Sequence, residues 1–287
     1  MKLLNGKNLA DEIKEEVRAE VEQLKHDGQD IYLAVVQVGD NPASSVYVNN
    51  KMKSCEYCGI KSEVHRIDEN TPMYFLRKTL INLIKNLNNN NKVNGILVQL
   101  PLPDGVDENE IINIISPNKD VDGFHQSNVG KLMIGEDTFV PCTTMGIIEL
   151  LKRNNIEIEG KHCVVVGRSN IVGKPTAIEL LRHNGTVTVC HSKTKNLKDI
   201  CKQADILVCA IGKPKFFNRE YVKDGAVVID VGIHRTENGL CGDVDFDDVK
   251  DIVSAITPVP RGVGAMTVAM LMKNCVKAAK MQYESRK

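Results

Sequence analysis

Neither sign of charge prevails in this 287-residue sequence, where 37 Lys and Arg face 37 Asp and Glu. Nucleic acid or an anionic membrane surface as the main partner calls for a basic excess, and there is none. No stretch approaches the roughly 18 consecutive apolar residues needed to cross a bilayer. The opening MKLLNGKNLADEIKEEVRAE lacks the apolar core and small-residue cleavage site of a signal peptide. A cytoplasmic location is therefore expected. Internal repeats are missing as well. None of the seven histidines pairs with another at metal-ligand spacing, so no metal site is expected. The C-x-x-C of Cys55 and Cys58 has no second half to complete a tetrahedral set. It ends a helical run just before Gly59 and reads as structural, with a redox pair or half a zinc site as alternatives. The nine cysteines are odd in number and sit mostly in apolar runs such as HCVVVG and ILVCAIG, where Cys behaves as a small buried hydrophobe. Ser169 and Ser192 have no base partner in the sequence, which leaves a nucleophilic hydrolase unsupported.

What is present is an ordinary globular composition, 42% apolar and 26% charged, long enough for two compact domains or one large one. Strand and helix patterns alternate, which points to α/β layers with largely parallel sheets. Leu9, Ile13, Val17, Val21 and Leu24 recur at helical spacing until Asp27-Gly28 stops them. IYLAVVQV is a buried strand, Pro42 opens a helix ending at Gly59, and SEVHRI is a short strand. PMYFLRKTLINLIKNL is helical and runs out in an Asn tract over 88–91. GILVQL is a buried strand closed by the prolines of PLP, and ENEIINIIS is a helix halted by Pro117. A polar loop, NKDVDGFHQSN, follows. After Pro141 come the helix TTMGIIELLKRNN, a strand-helix-strand unit from Lys161 to Ser192, and the strands DILVCAIG and AVVIDVGI. The amphipathic AMTVAMLMKNCVKAAKMQ closes the chain. The expected division is an N-terminal catalytic domain over 1–140, a Rossmann-type domain over 141–264, and a C-terminal helix over 265–287 packing back on the first domain.

VVVGRSNIVGKP places a tight turn between an apolar strand and a helix, where phosphates lie against backbone N–H groups and the helix dipole. Gly167 permits the turn and Gly173 permits close backbone approach. The pattern departs from G-x-G-x-x-G: Ser169 holds the second glycine position, and Gly173 comes one residue late. A glycine turn that binds nothing is the alternative. At the end of the next strand an NAD site usually carries an acidic residue. Here stand His191, Ser192 and Lys193, with Arg168 back in the first turn. A hydroxyl and two cations suit a 2′-phosphate, so NADP is favoured over NAD, unless both cations are merely solvated.

Tyr47 and Lys51 are four apart and share a helix face, a spacing that means little alone. Gln99 ends an apolar strand beside two prolines, where a cleft is expected in an α/β sheet, and Asp120 and Asp122 occupy the loop KDVDGF. VYVNNKMKSCEYCGI, VQLPLP, KDVDGFH, VVGRSNIVGKP, HSKT, DVGI, GDVDF and TPVPRGVGAMT occur in this order. Together they resemble the bifunctional methylenetetrahydrofolate dehydrogenase/methenyltetrahydrofolate cyclohydrolase family over nearly the whole chain. The resemblance implies oxidation of a folate-bound methylene with NADP, followed by hydrolysis to the 10-formyl product. It implies that Lys51 is the catalytic amine, that Tyr47 lies against the pterin and aminobenzoate, that Gln99 orients Lys51, and that Asp122 takes the pterin's amino edge. An amine able to give up its proton near neutral pH would serve the water-addition step. Leu100, Pro101, Pro260 and Gly262 are implied at the substrate. Pro175, Thr194, Gly212 and Ile233 are implied at the cofactor, beside Gly167, Arg168, Ser169, Gly173, Ser192 and Lys193. A homodimer acting on polyglutamylated tetrahydrofolates is likewise implied. The family's usual TPVPGGVGPMT and PCTP read here TPVPRGVGAMT and PCTT. Arg261 either pairs with a folate glutamate carboxylate or crowds that loop. A shikimate-type dehydrogenase, a folate enzyme with only one of the two activities, and a non-catalytic sensor are the competing readings.

Overall fold

The apolar runs become strands buried on both faces, as parallel sheets covered by helices require. In this computed structural model, which describes residues 1–237 and 239–285, the order begins β1 (Lys2–Leu3), α1 (Gly6–His26), β2 (Tyr32–Val38), α2 (Pro42–Cys58), β3 (Lys61–Ile67), α3 (Met73–Asn89), β4 (Gly95–Val98), α4 (Glu108–Ile112) and α5 (Gln126–Ile134). It continues α6 (Cys142–Arg153), β5 (His162–Val166), α7 (Gly173–Arg182), β6 (Thr186–Cys190), α8 (Leu197–Cys201), β7 (Ile206–Cys209) and β8 (Val227–Asp230). The last elements are β9 (His234–Thr236), β10 (Gly239–Cys241), α9 (Phe246–Val249), β11 (Ala255–Ile256) and α10 (Val263–Glu284).

The chain forms two compact units. One joins Glu12–Lys131 to Leu271–Lys287, and the other joins Met1–Asp11 to Leu132–Met270. The first is built on a parallel sheet of order β3-β2-β4. Side chains alternate along β2: Ala34, Val36 and Val38 share one face and pack with Leu76, Leu80, Ile84 and Leu87 of α3. Leu33, Val35 and Gln37 therefore take the other face, where Gln37 Nε2 donates to Ser45 Oγ of α2 at 2.9 Å. The sheet thus has α3 on one side and α2 on the other. The C-terminal part of α10 belongs to this unit, as expected: Asn274 Nδ2 donates to Val121 O at 2.8 Å and Gln282 Nε2 to Asn94 O at 2.7 Å.

The second unit carries a six-stranded parallel sheet of order β1-β11-β8-β7-β5-β6. From β5 the chain passes to β6 on one side and then to β7 on the other, so strand order reverses at β5. A crevice for a ligand is expected outside the carboxyl ends of the strands at such a reversal. Val164, Val166, Leu207, Cys209 and Val228 form the core beneath it, with Cys190 and Cys201 as apolar filler.

Three features differ from the pattern read along the chain. The helix expected over 108–116 ends at Ile112, because the next residues already turn: Ile114 and Ile115 donate to carbonyls three residues back. Helix α5 lies where no helix is expected; Gly130 interrupts its apolar pattern, yet Leu132 is buried. Residues 1–11, expected with the N-terminal domain, belong to the nucleotide-side unit, where β1 pairs with β11 at the sheet edge.

Candidate active site

In the first unit the alternation that sets Gln37 toward α2 also governs Gln99, the residue after β4. Val98 shares the α3 face, so Gln99 turns to the α2 side. Its backbone N–H donates to Val36 O at 2.9 Å, which continues the ladder to the strand end. There Lys51 Nζ donates to Gln99 Oε1 at 3.0 Å, and Gln99 Nε2 donates to Leu100 O at 2.6 Å. The amide is held at both ends, so its oxygen is fixed toward the ammonium. Lys51 is half-buried; Tyr47, one turn earlier on the same helix, is 41% exposed. Leu100 precedes the cis-proline Pro101, which is exposed at the rim.

Asp120 and Asp122 part company. Asp120 bridges to Ile96 of β4 and is fully buried. Its carboxylate accepts from Gly123 N at 3.2 Å, His125 N at 2.8 Å and Asn128 Nδ2 at 2.8 Å. Burial pushes this carboxyl up, against the hydrogen bonds that favour its charge. Asp120 is thus the peg of the KDVDGF loop, a role that sequence spacing alone does not distinguish. Asp122 is only partly buried at the loop's start.

Cys55 and Cys58 stand at the C-terminal end of α2. Both thiols are buried and free, and burial pushes them up to about 12 and about 11, so neither is a thiolate at neutral pH. Among the described residues no cluster of three or more His, Cys, Asp or Glu could hold a metal ion.

In the second unit Gly167 follows β5 with φ +136°, and a Cβ there would meet Ala210 O at 2.2 Å. A Cβ on Gly173, the first residue of α7, would meet Gly167 O at 2.3 Å. Both glycines let the turn close on itself at the reversal point. Ser169 supplies the reason for the odd spacing: its Oγ accepts from Val172 N at 3.2 Å and Gly173 N at 3.3 Å, capping the helix start. Pro175, in the first turn of α7, has no helical hydrogen bond to lose. Thr194 Oγ1 accepts from His191 N at 2.8 Å and closes the HSKT turn. That turn leaves Ser192 and Lys193 exposed beyond β6; Arg168 is exposed too, and neither cation enters an ion pair among the described residues. Gly212, at φ +68°, follows β7, and Ile233 is 40% exposed after β8. Pro260 and Gly262 flank Arg261, whose φ is +80°. A Cβ on Gly262 would meet Pro258 O at 2.4 Å, so this loop is tightly folded.

Comparison with known proteins agrees with both halves. Residues 4–122 match the model of the tetrahydrofolate dehydrogenase/cyclohydrolase catalytic domain, and residues 141–283 match that of the same family's NAD(P)-binding domain. The bifunctional protein FolD of Lachnoclostridium phytofermentans is 62% identical over 97% of this chain and 98% of its own. The crystal structure of the bifunctional enzyme FolD, methylenetetrahydrofolate dehydrogenase/cyclohydrolase, from Campylobacter jejuni superposes with a TM-score of 0.95 at 49% identity, covering 98% of this chain and 99% of that one. The methylenetetrahydrofolate dehydrogenase-cyclohydrolase of Trypanosoma brucei, complexed with NADP and an inhibitor, gives 0.91 at 36% identity over 98% of each chain. This chain belongs to the tetrahydrofolate dehydrogenase/cyclohydrolase family.

Proposed function

We propose that this protein oxidises 5,10-methylenetetrahydrofolate with NADP to the methenyl compound and then hydrolyses it to 10-formyltetrahydrofolate. Family membership supports this over a shikimate-type dehydrogenase. The single observation that carries the reading is the Lys51–Gln99 hydrogen bond, an amine held on a fixed acceptor where the strand ends. The unit built on β2, β3 and β4 binds the folate. Tyr47 lies along its aromatic rings, Asp122 accepts from the pterin's amino edge as a carboxylate meets a planar N–H pair, and Leu100 and Pro101 line the rim.

The nucleotide fits the residues present, since the two glycines leave room that a Cβ would fill and the turn lies at the start of a helix. Gly167, Ser169, Gly173 and Pro175 shape the phosphate turn, while Arg168, Ser192, Lys193 and Thr194 surround a 2′-phosphate, which favours NADP over NAD. Gly212 and Ile233 border the nicotinamide. NADP, when bound, accepts the hydride leaving the carbon between N5 and N10. Water then adds to the cationic methenyl carbon and loses a proton, and the ring opens to the N10-formyl product. Lys51 acts in this second step, taking and returning protons beside the reacting carbon, with Gln99 holding it in line. The enzyme acts in the cytoplasm as a homodimer and accepts polyglutamylated substrate.

Replacing Lys51 by Met tests the assignment. Conversion of methenyl to formyl substrate should fall by at least about 10²-fold, while NADP binding by titration stays at the wild-type value. Undiminished hydrolysis in Lys51→Met would remove Lys51 from the mechanism.

A further inference from the structure

Asp243 of the GDVDF segment has a use the proposed mechanism does not include. It is wholly buried, and four donors converge on its carboxylate. Oδ2 accepts from Ile211 N at 2.7 Å and Gly212 N at 3.0 Å; Oδ1 accepts from Lys213 N at 2.9 Å and lies 2.8 Å from His234 Nε2. Three successive backbone N–H groups of the loop after β7 thus close on one carboxylate, a nest of the kind that binds anions. The loop belongs to the carboxyl end of the sheet at the reversal point: Ala210 O is the atom that a Cβ on Gly167 would strike. His234 follows β8, so one side chain ties the loops after two neighbouring strands together. Asp243 is itself pinned. Its N–H donates to Asp230 Oδ1 at 2.9 Å, and Val244 N to Asp230 Oδ2 at 2.9 Å. Space for the carboxylates is reserved by glycines, since a Cβ on Gly232 would meet Asp243 Oδ1 at 2.3 Å and one on Gly242 would meet Asp230 Oδ2 at 1.8 Å.

A loop of 210–213 left without this anchor would have three N–H groups to satisfy elsewhere, and Gly212, at φ +68°, gives its backbone freedom to move. We infer that Asp243, oriented by His234, is a positioning residue that sets the backbone of Ile211–Lys213 into the shape that receives the dinucleotide. The inference rests on reading this end of the sheet as the NADP crevice. Asp243 is buried and its carboxylate is taken up by four protein donors, so it acts through the loop it holds. Its effect must therefore appear in cofactor affinity and not in the water-addition step, which uses no dinucleotide.

The two activities of one full-length enzyme separate the outcomes. The variants are Asp243→Ala, Asp243→Asn and His234→Ala, each assayed for the KM of NADP in dehydrogenation and for cofactor-free hydrolysis of methenyltetrahydrofolate. Asp243→Ala removes all four acceptor contacts and should raise the KM for NADP at least about tenfold. Asp243→Asn can keep one oxygen on Ile211 and Gly212 and should fall between it and wild type. His234→Ala leaves the three backbone bonds and should have the smallest effect, with His234→Gln, which restores a donor, returning toward wild type. Hydrolysis should stay within about twofold throughout, which also shows that the variants fold. An unchanged KM for NADP in Asp243→Ala would overturn the inference. So would parallel loss of both activities in all three variants, because the network would then support the fold at large. Absence of NADP turnover in the wild type would instead strike the functional reading itself.

Discussion

At Arg261 the backbone stands at φ +80°, in the left-handed region that costs an L side chain roughly 1–2 kcal/mol. Its carbonyl is held there by Lys7 N at 3.0 Å, so the conformation belongs to the packing and does not follow the residue. Arg261→Gly should therefore stabilise the protein by roughly 0.5–1 kcal/mol, the relieved strain less the extra freedom glycine gives the unfolded chain. Thermal melting should show a rise of about 2 °C; no rise would mean that contacts of the guanidinium offset the strain. The same variant decides the role of the side chain. Relative to wild type, a rise in KM confined to polyglutamylated substrate would assign the guanidinium to the folate tail, and unchanged KM values for both forms would leave it a solvated charge. Asp120 and Asp122 carry a related lesson. Two aspartates one residue apart in one motif are indistinguishable on paper, and only the bridge from Asp120 to Ile96 shows which is the peg.

At the scale of elements, the β5–α7–β6 unit is legible because each piece has its own local cause: an apolar run, a glycine turn, a helical stripe. The close approach inside it leads to a specific expectation. Gly173→Ala places a methyl 2.3 Å from Gly167 O, a backbone atom that cannot swing aside as a long side chain could. The turn must open, and NADP affinity should fall about 10²-fold or more, while hydrolysis of the methenyl substrate, served by α2 and β4, is retained. Retained NADP affinity in a titration would show that the turn adapts and is not the phosphate site. What stays illegible depends on distant partners. β1 has two residues, and only its pairing with β11, some 250 positions on, makes it a strand. The β9–β10 hairpin and α9 are too short to show a period. Helix α5 is masked by Gly130, whose cost tertiary burial of Leu132 offsets. The candidate site shows the same split. Lys51 and Gln99 can be guessed to meet from strand alternation and a shared helix face. The convergence of 211–213 on Asp243 has no signature in GDVDF, since backbone donors carry no sequence identity.

For the molecule as a whole, these buried groups set the dependence of stability on pH. Asp230, 3% exposed, has its carboxyl raised from 3.8 to about 6, chiefly by burial and further by the neighbouring charge of Asp243, against three backbone N–H bonds that lower it. The folded protein therefore holds this proton more tightly than the unfolded chain does. Its stabilising contribution is complete below about 3.8 and is lost as pH rises through about 6, an amount on the order of 3 kcal/mol. Other carboxyls act in the opposite sense. The ion-paired Asp205 is lowered, mainly by Lys223, and its share is lost as pH falls. The net curve mixes the two, so the difference between wild type and Asp230→Asn isolates the first. From urea melts at steps between pH 4 and 7, the stability of wild type relative to the variant should decline steadily with pH and level off above about 6.5. A flat difference would mean that the hydrogen bonds outweigh burial and that Asp230 is ionised throughout. On the alkaline side the buried thiols act the same way. Cys55, Cys58, Cys163 and Cys201 are raised from 9.0 to between about 11 and about 12 by burial, so stability contributed by their neutral forms is lost as pH climbs past 9. Of the nine thiols only Cys241 is not buried, so a thiol reagent on the native protein at pH 8 should titrate one group, and all nine in denaturant. A second fast-reacting thiol in the native protein would show that part of this core opens far more readily than its burial implies.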